Sequence, residues 1–268
     1  MGEENKSITR RQFMVLTAAS GAALAGFRML SRKEVPFEIR RRADSRLRTG
    51  LSVIHGDAPA PDREREVVRR MTRAAVDALG GMDGLVRGGH RVVIKPNMAW
   101  VRPPKLAANT NPWVVAALVE MCREAGAKRV TVMDHTISAN PAPSYQKSGI
   151  AEAAREAGAE VPYVDPGRFR RLPVPDGHAL REWMFYEKFV SAAECDVLIN
   201  VPVLKDHGTS RLTIGLKNAL GMVGGERGEL HRSIHKKIAD LHRVIKVDLT
   251  VMDAYRVLRK NGPTGGRL

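Results

Sequence analysis

Short apolar runs recur along this chain, each ended by a polar or proline-bearing step, with stretches of helical period between them, and that alternation leaves few architectures open. Residues 91–94, 130–133, 196–201 and 249–252 are such runs; they stop at Lys95 and Pro96, at Asp134 and His135, at Pro202, and at Asp253. Apolar runs this short, bounded by turn residues, read as strands buried on both faces. Residues 62–79 place Val67, Val68, Met71, Ala75 and Leu79 at helical spacing and stop at Gly80 and Gly81. Residues 111–126 open with Asn111 as a cap and Pro112 in the first helical position, residues 150–157 stop at Gly158, and residues 234–245 repeat the helical period. Strand, helix and strand in this order predict βαβ units. The expected class is therefore α/β, a layered fold with a mainly parallel sheet. A further strand is expected over residues 161–164, an excursion or small hairpin over 166–187, and a helix or tight turn over 216–222.

The first fifty residues differ from the rest. Thr9, Arg10, Arg11, Gln12 and Phe13 precede an apolar, small-residue stretch over 14–27, the pattern of a twin-arginine export signal, with Ala23 and Ala25 as a small-x-small cleavage site. That stretch falls short of the roughly 20 apolar residues a membrane span needs. The expected address is the periplasm or the outer face of the cytoplasmic membrane, with the twin-arginine translocation machinery as a partner. Residues 28–50 read as a basic linker, since Arg40, Arg41, Arg42, Arg46 and Arg48 cluster there; the alternative lays these arginines on anionic lipid. Residues 51–268 read as a single α/β domain. Its turn-rich end, Asn261 to Gly266, predicts that the natural fold continues beyond Leu268.

Charge narrows the partners. Lys and Arg outnumber Asp and Glu by 44 to 29, a net +15 that favours anionic ligands. No nucleic acid is expected, because aromatics make up only 5% of the residues and no RNA-recognition, zinc-finger or zipper signature is present. Cys122 and Cys195 are the two cysteines of the chain, both among apolar neighbours. Two thiols do not supply the four thiolates of a standard cluster, so no iron–sulfur cluster is expected from this chain alone.

In a parallel sheet the polar residues at the strand ends fall on one edge. Lys95, Lys205 and Lys217 are candidate charge partners for a phosphate or carboxylate, with Asn97 and Asn218 to orient it. The helix start at Asn111 and Pro112 would add its dipole. His207 is the candidate acid or base, and Asp134 and Asp253 are further catalytic candidates. A metal reading competes: His231, His235 and His242 share one face if their helix is continuous, with His231 and His235 as the first ligands. The expected function is an anionic small-molecule or cofactor site. The alternative is a redox or metal component working with an iron–sulfur partner.

The segments VVIKPN from Val92, NTNP from Asn109, NVPVLKDHG from Asn200, IGLKNALG from Ile214, and LTVMDA with NGPTGG near the end resemble the domain of unknown function 362 family. The resemblance implies an α/β fold, frequent association with iron–sulfur proteins and no settled general reaction. It carries Lys95, Asn97, Asp134, Lys205, His207, Lys217, Asn218 and Asp253 over as motif positions. Members often bear ferredoxin-like cysteine clusters, which this chain lacks.

Overall fold

The computed structural model describes residues 37–47, 50–56 and 61–268; the twin-arginine pattern, its apolar stretch and part of the basic segment lie outside the described residues. Helix α1 (Glu64–Asp77) leads to strand β1 (Arg91–Pro96), helix α2 (Pro112–Glu124) and strand β2 (Arg129–Val132). Helices α3 (Ala142–Lys147) and α4 (Ile150–Glu156) follow, then strands β3 (Phe169–Pro173) and β4 (Glu182–Tyr186), paired as an antiparallel hairpin, and the single-turn α5 (Glu187–Val190). Strands β5 (Val197–Val201), β6 (Val203–His207) and β7 (Arg211–Thr213) precede helix α6 (Ile234–Leu241) and strands β8 (Leu249–Thr250) and β9 (Asp253–Leu258).

Four strands make a parallel sheet in the order β2-β1-β5-β8. Side chains alternate across it. Val92 and Ile94 of β1 pack with Leu118 and Val119 of α2 and Ile150 of α4, whereas Val93 faces Phe185, Phe189, Met222 and Leu241 on the opposite side. Both faces are thus covered, which is why these strands read as continuous apolar runs. The α/β class with a parallel sheet is what the alternation of elements predicts. From β1 the chain moves to β2 on one side, and β5 and β8 then add on the other, so β1 and β5 flank the point where strand order reverses. In open α/β sheets ligands settle beyond the strand C-termini at that point.

Three expectations change. Residues 161–164 do not form a strand: Glu160 makes a single bridge to Thr131, and Pro162, with no N–H to donate, takes the chain off the sheet. Nor does Pro202 begin a loop. It ends β5, and the chain stays extended as β6, the centre of a second sheet ordered β7-β6-β9, in which the N–H of Asp253 donates to the Pro202 carbonyl at 2.8 Å. Arg40, read as part of a solvated linker, is instead buried. Its guanidinium pairs with Asp248 and donates to the carbonyls of Cys195, Asp196 and Lys246. Cys122 and Cys195 are free buried thiols in the two cores on opposite faces of the sheet.

Candidate functional site

A crevice of about 540 Å³ opens at the C-terminal ends of β1 and β5 and is lined by residues of both sheets. From β1 comes Lys95, whose position on the face opposite Ile94 sends its stem inward, leaving it 1% exposed. Its Nζ lies 2.8 Å from Asp134 Oδ1 and donates to Asn218 Oδ1 at 2.7 Å. Asp134 Oδ2 accepts the Met98 N–H at 2.7 Å, and its own N–H donates to the Tyr145 hydroxyl oxygen. Asn218 also donates to Asn200 Oδ1 at 2.8 Å and to the Lys95 carbonyl at 3.2 Å, so both its amide atoms are committed. This floor is tight enough to require glycine at 221, where a Cβ would sit 2.0 Å from Asp134 Oδ1 and 2.7 Å from Lys95 Nζ.

The second sheet brings the other charges. Val203, Lys205 and His207 share one face of β6, the period-two spacing of a strand. Lys205 is 2% exposed, and its Nζ donates to Asn97 Oδ1 at 3.0 Å and to the Ala108 carbonyl. Both acceptors are neutral. Among the described residues no carboxylate pairs with Lys205, and none pairs with Lys217. Thr213, the cross-strand partner of Lys205, lines the crevice, and its buried hydroxyl has no hydrogen-bond partner among the described residues. A buried hydroxyl left in that state costs roughly 1–3 kcal/mol, which a ligand oxygen would recover.

Burial sets the titration here. It pushes Lys205 down to about 7, with Lys217 and Lys95 adding repulsion, and Lys217 down to about 8, with Lys95 adding to it. His207 is driven to about 4 by burial, then by Lys217, His231 and Lys205. Its Nδ1 accepts the N–H groups of Thr209 and Ser210 at 3.2 and 3.4 Å, so the neutral ring carries its proton on Nε2. At neutral pH His207 is thus a hydrogen-bond donor through Nε2. The rings of His207 and His231 stack with centroids 6.2 Å apart.

The crevice gathers Lys95, Asn97, Asp134, Lys205, His207, Lys217 and Asn218 and omits Asp253. Asp253 opens β9, where its buried carboxylate accepts the N–H groups of Asn111 at 2.7 Å and Tyr255 at 3.1 Å; burial raises it to about 6. It therefore occupies the start of α2, and that helix dipole is spent on Asp253 rather than on the crevice. The metal pair also separates. Ser233, at φ 58°, breaks the helical run between the two histidines, so His231 turns into the crevice while His235 lines a surface hollow with His178, Asp240 and His242. Among the described residues no three His, Cys, Asp or Glu side chains are grouped to hold a metal ion.

Two contributors escape the sequence reading. Arg227, in a glycine-rich turn, reaches across to the carbonyls of His135 and Thr136 and lines the crevice. Thr213 is the other. The glycines around Arg227 mark a flexible turn but not the carbonyls some ninety residues away that hold the guanidinium, and Thr213 is set by the β6–β7 register, which no local residue pattern announces. Apolar walls from Trp100, Ile137, Leu220 and Pro263 complete the crevice.

The family model described as Domain of unknown function (DUF362) matches residues 92–268. A thylakoid-associated protein of Synechocystis sp. is 27% identical over 208 residues, covering 72% of this chain and 60% of that protein, so the chain spans about three-fifths of this curated relative. A crystal structure of a Thermotoga maritima protein superposes with a TM-score of 0.47 at 14% identity, covering 75% of this chain and 52% of that one.

Proposed function

We propose, given that this chain belongs to the DUF362 family, that its strand-end crevice binds an anionic small molecule, phosphorylated or carboxylated. One observation carries the reading: among the described residues four cationic side chains, Lys95, Lys205, Lys217 and Arg227, line the crevice against a single carboxylate, Asp134. Asp134 is already committed to Lys95, so Lys205 and Lys217 are the charge partners for the ligand. The Nε2–H of His207 and the unpaired hydroxyl of Thr213 supply directional hydrogen bonds. The apolar walls suit a small organic body attached to the anionic group.

An anion stabilises the protonated lysines, so binding draws protons into the crevice. Below about pH 7 both Lys205 and Lys217 are cationic before binding; above about pH 8 both are largely neutral, and affinity falls. Calorimetry with inorganic phosphate in two buffers of different ionisation enthalpy measures this uptake. Near pH 8, a heat of binding that is independent of buffer, or no heat at millimolar phosphate and citrate alike, would sink the reading.

We propose the same anion site for an exported protein. The twin-arginine pattern supports export, and the thylakoid association named for the cyanobacterial relative supports work near a membrane. Replacing Arg10 and Arg11 with Lys should hold the protein in the cytoplasm on fractionation. Unchanged export would reject the signal.

A further inference from the structure

We propose that Lys205 forms a covalent imine with a small carbonyl compound bearing a carboxylate or phosphate, a 2-oxo acid being the simplest of that class. The proposal rests on the crevice being an anion site and adds a bond to it. The geometry is that of a held amine. A neutral Lys amine has two N–H bonds and one lone pair, and the Lys205 Nζ has two protein acceptors, Asn97 Oδ1 at 3.0 Å and the Ala108 carbonyl. Both N–H bonds are used, and the remaining tetrahedral vertex has no protein partner among the described residues of a crevice that Lys205 lines. By contrast Lys95, on β1 of the parallel sheet, is locked to Asp134.

The neighbours suit the steps that follow. Thr213 lies directly across the ladder from Lys205 and lines the crevice, and its buried hydroxyl, without a partner among the described residues, would donate to the oxygen of a tetrahedral adduct. With Lys205 as the free amine, Lys217 and Arg227 carry the positive charge for the anionic group, and Lys217, less buried, is also the proton donor. Desolvation beside other cations keeps the Lys205 ammonium near 7, so a sizeable share is free amine at neutral pH.

The chemistry balances without a redox partner. The Nζ lone pair forms the C–N bond, the carbonyl π electrons move to oxygen, and the proton shed by nitrogen ends on that oxygen, giving a carbinolamine. Lys217 then protonates the hydroxyl, the C–O bond breaks to release water, and the nitrogen lone pair closes the C=N bond. One amine, one carbonyl and one proton give one iminium and one water.

Incubating the full chain with pyruvate and sodium borohydride, followed by intact-mass measurement and peptide mapping, tests this. The expected result is one reduced adduct per chain, on Lys205, suppressed by excess inorganic phosphate and lost in Lys205→Arg. Circular dichroism checks the fold of that variant; should it fail to fold, the wild-type peptide map still identifies the labelled lysine. No adduct in a sample that still gives a phosphate heat overturns the imine and leaves the anion site standing. Absence of both adduct and heat removes both. Labelling spread over surface lysines, or centred on Lys217, overturns the assignment to Lys205.

Discussion

The two ends of the parallel sheet both bury positive charge, but they treat it in opposite ways. At the N-terminal ends of the strands the Arg40 guanidinium meets Asp248 and three carbonyls, and Arg91 makes a two-pronged contact with Asp196, which holds that carboxyl below its usual range. Each nitrogen of the Arg40 guanidinium is answered by the protein. At the C-terminal ends Lys205 is as deeply buried as Arg40, yet among the described residues it is met only by neutral oxygens. A closed ion pair is scaffold; a buried cation whose counter-charge is left out is a place for something to bind.

The largest effect should come from the closed end. Arg40→Ala leaves Asp248 buried without its partner and is expected to cost about 3–5 kcal/mol, read by urea unfolding, while the folded fraction binds phosphate as before. A cost under about 1 kcal/mol would mean that the two ends do not differ in this way. Next comes Gly221→Ala, which forces a methyl into the Lys95–Asp134 pair. Overpacking of this kind costs about 1–3 kcal/mol and should also abolish phosphate binding.

Lys217→Met should weaken phosphate binding roughly tenfold, about 1.4 kcal/mol, with little change in unfolding. Calorimetry reads the first quantity and urea the second. The smallest effect is expected for Lys205→Met, within about 1 kcal/mol at pH 7, because relief of desolvation offsets two acceptors left without a donor. Its signature is pH dependence. Lys205 at about 7 sits below its unfolded value, so between about pH 7 and pH 10 the unfolded chain holds more protons and wild-type stability rises with pH. The Met variant should show a flatter rise. An equal slope in both proteins would show that Lys205 is not a suppressed cation.

Much of this was legible in the sequence, for a specific reason. Strands buried on both faces announce themselves as apolar runs, and the polar residues that stop them, Lys95 with Asn97 and Asp134 with His135, mark the sheet edge. What periodicity reports is burial, not the ladder a residue joins. Pro202 therefore read as a stop although the chain carries straight on into another sheet, and Asp253 read as crevice-facing although it caps the start of α2. Arg40 read as solvated because its partners Asp196 and Asp248 are more than 150 residues away. His231 and His235 read as one face because nothing local announced the left-handed turn at Ser233.

The single residue between β5 and β6 has a mechanical consequence. Asn200 and Lys205 belong to different sheets, and the short path joining them passes through Pro202, whose ring fixes its own φ. The gap between the amide floor and the Lys205 ammonium is thereby held like the jaws of a calliper with its screw locked. Selectivity among anions then depends on length as well as charge. Freeing that joint with Pro202→Gly would leave every charge in place and blunt the distinction between a short dianion and a long one.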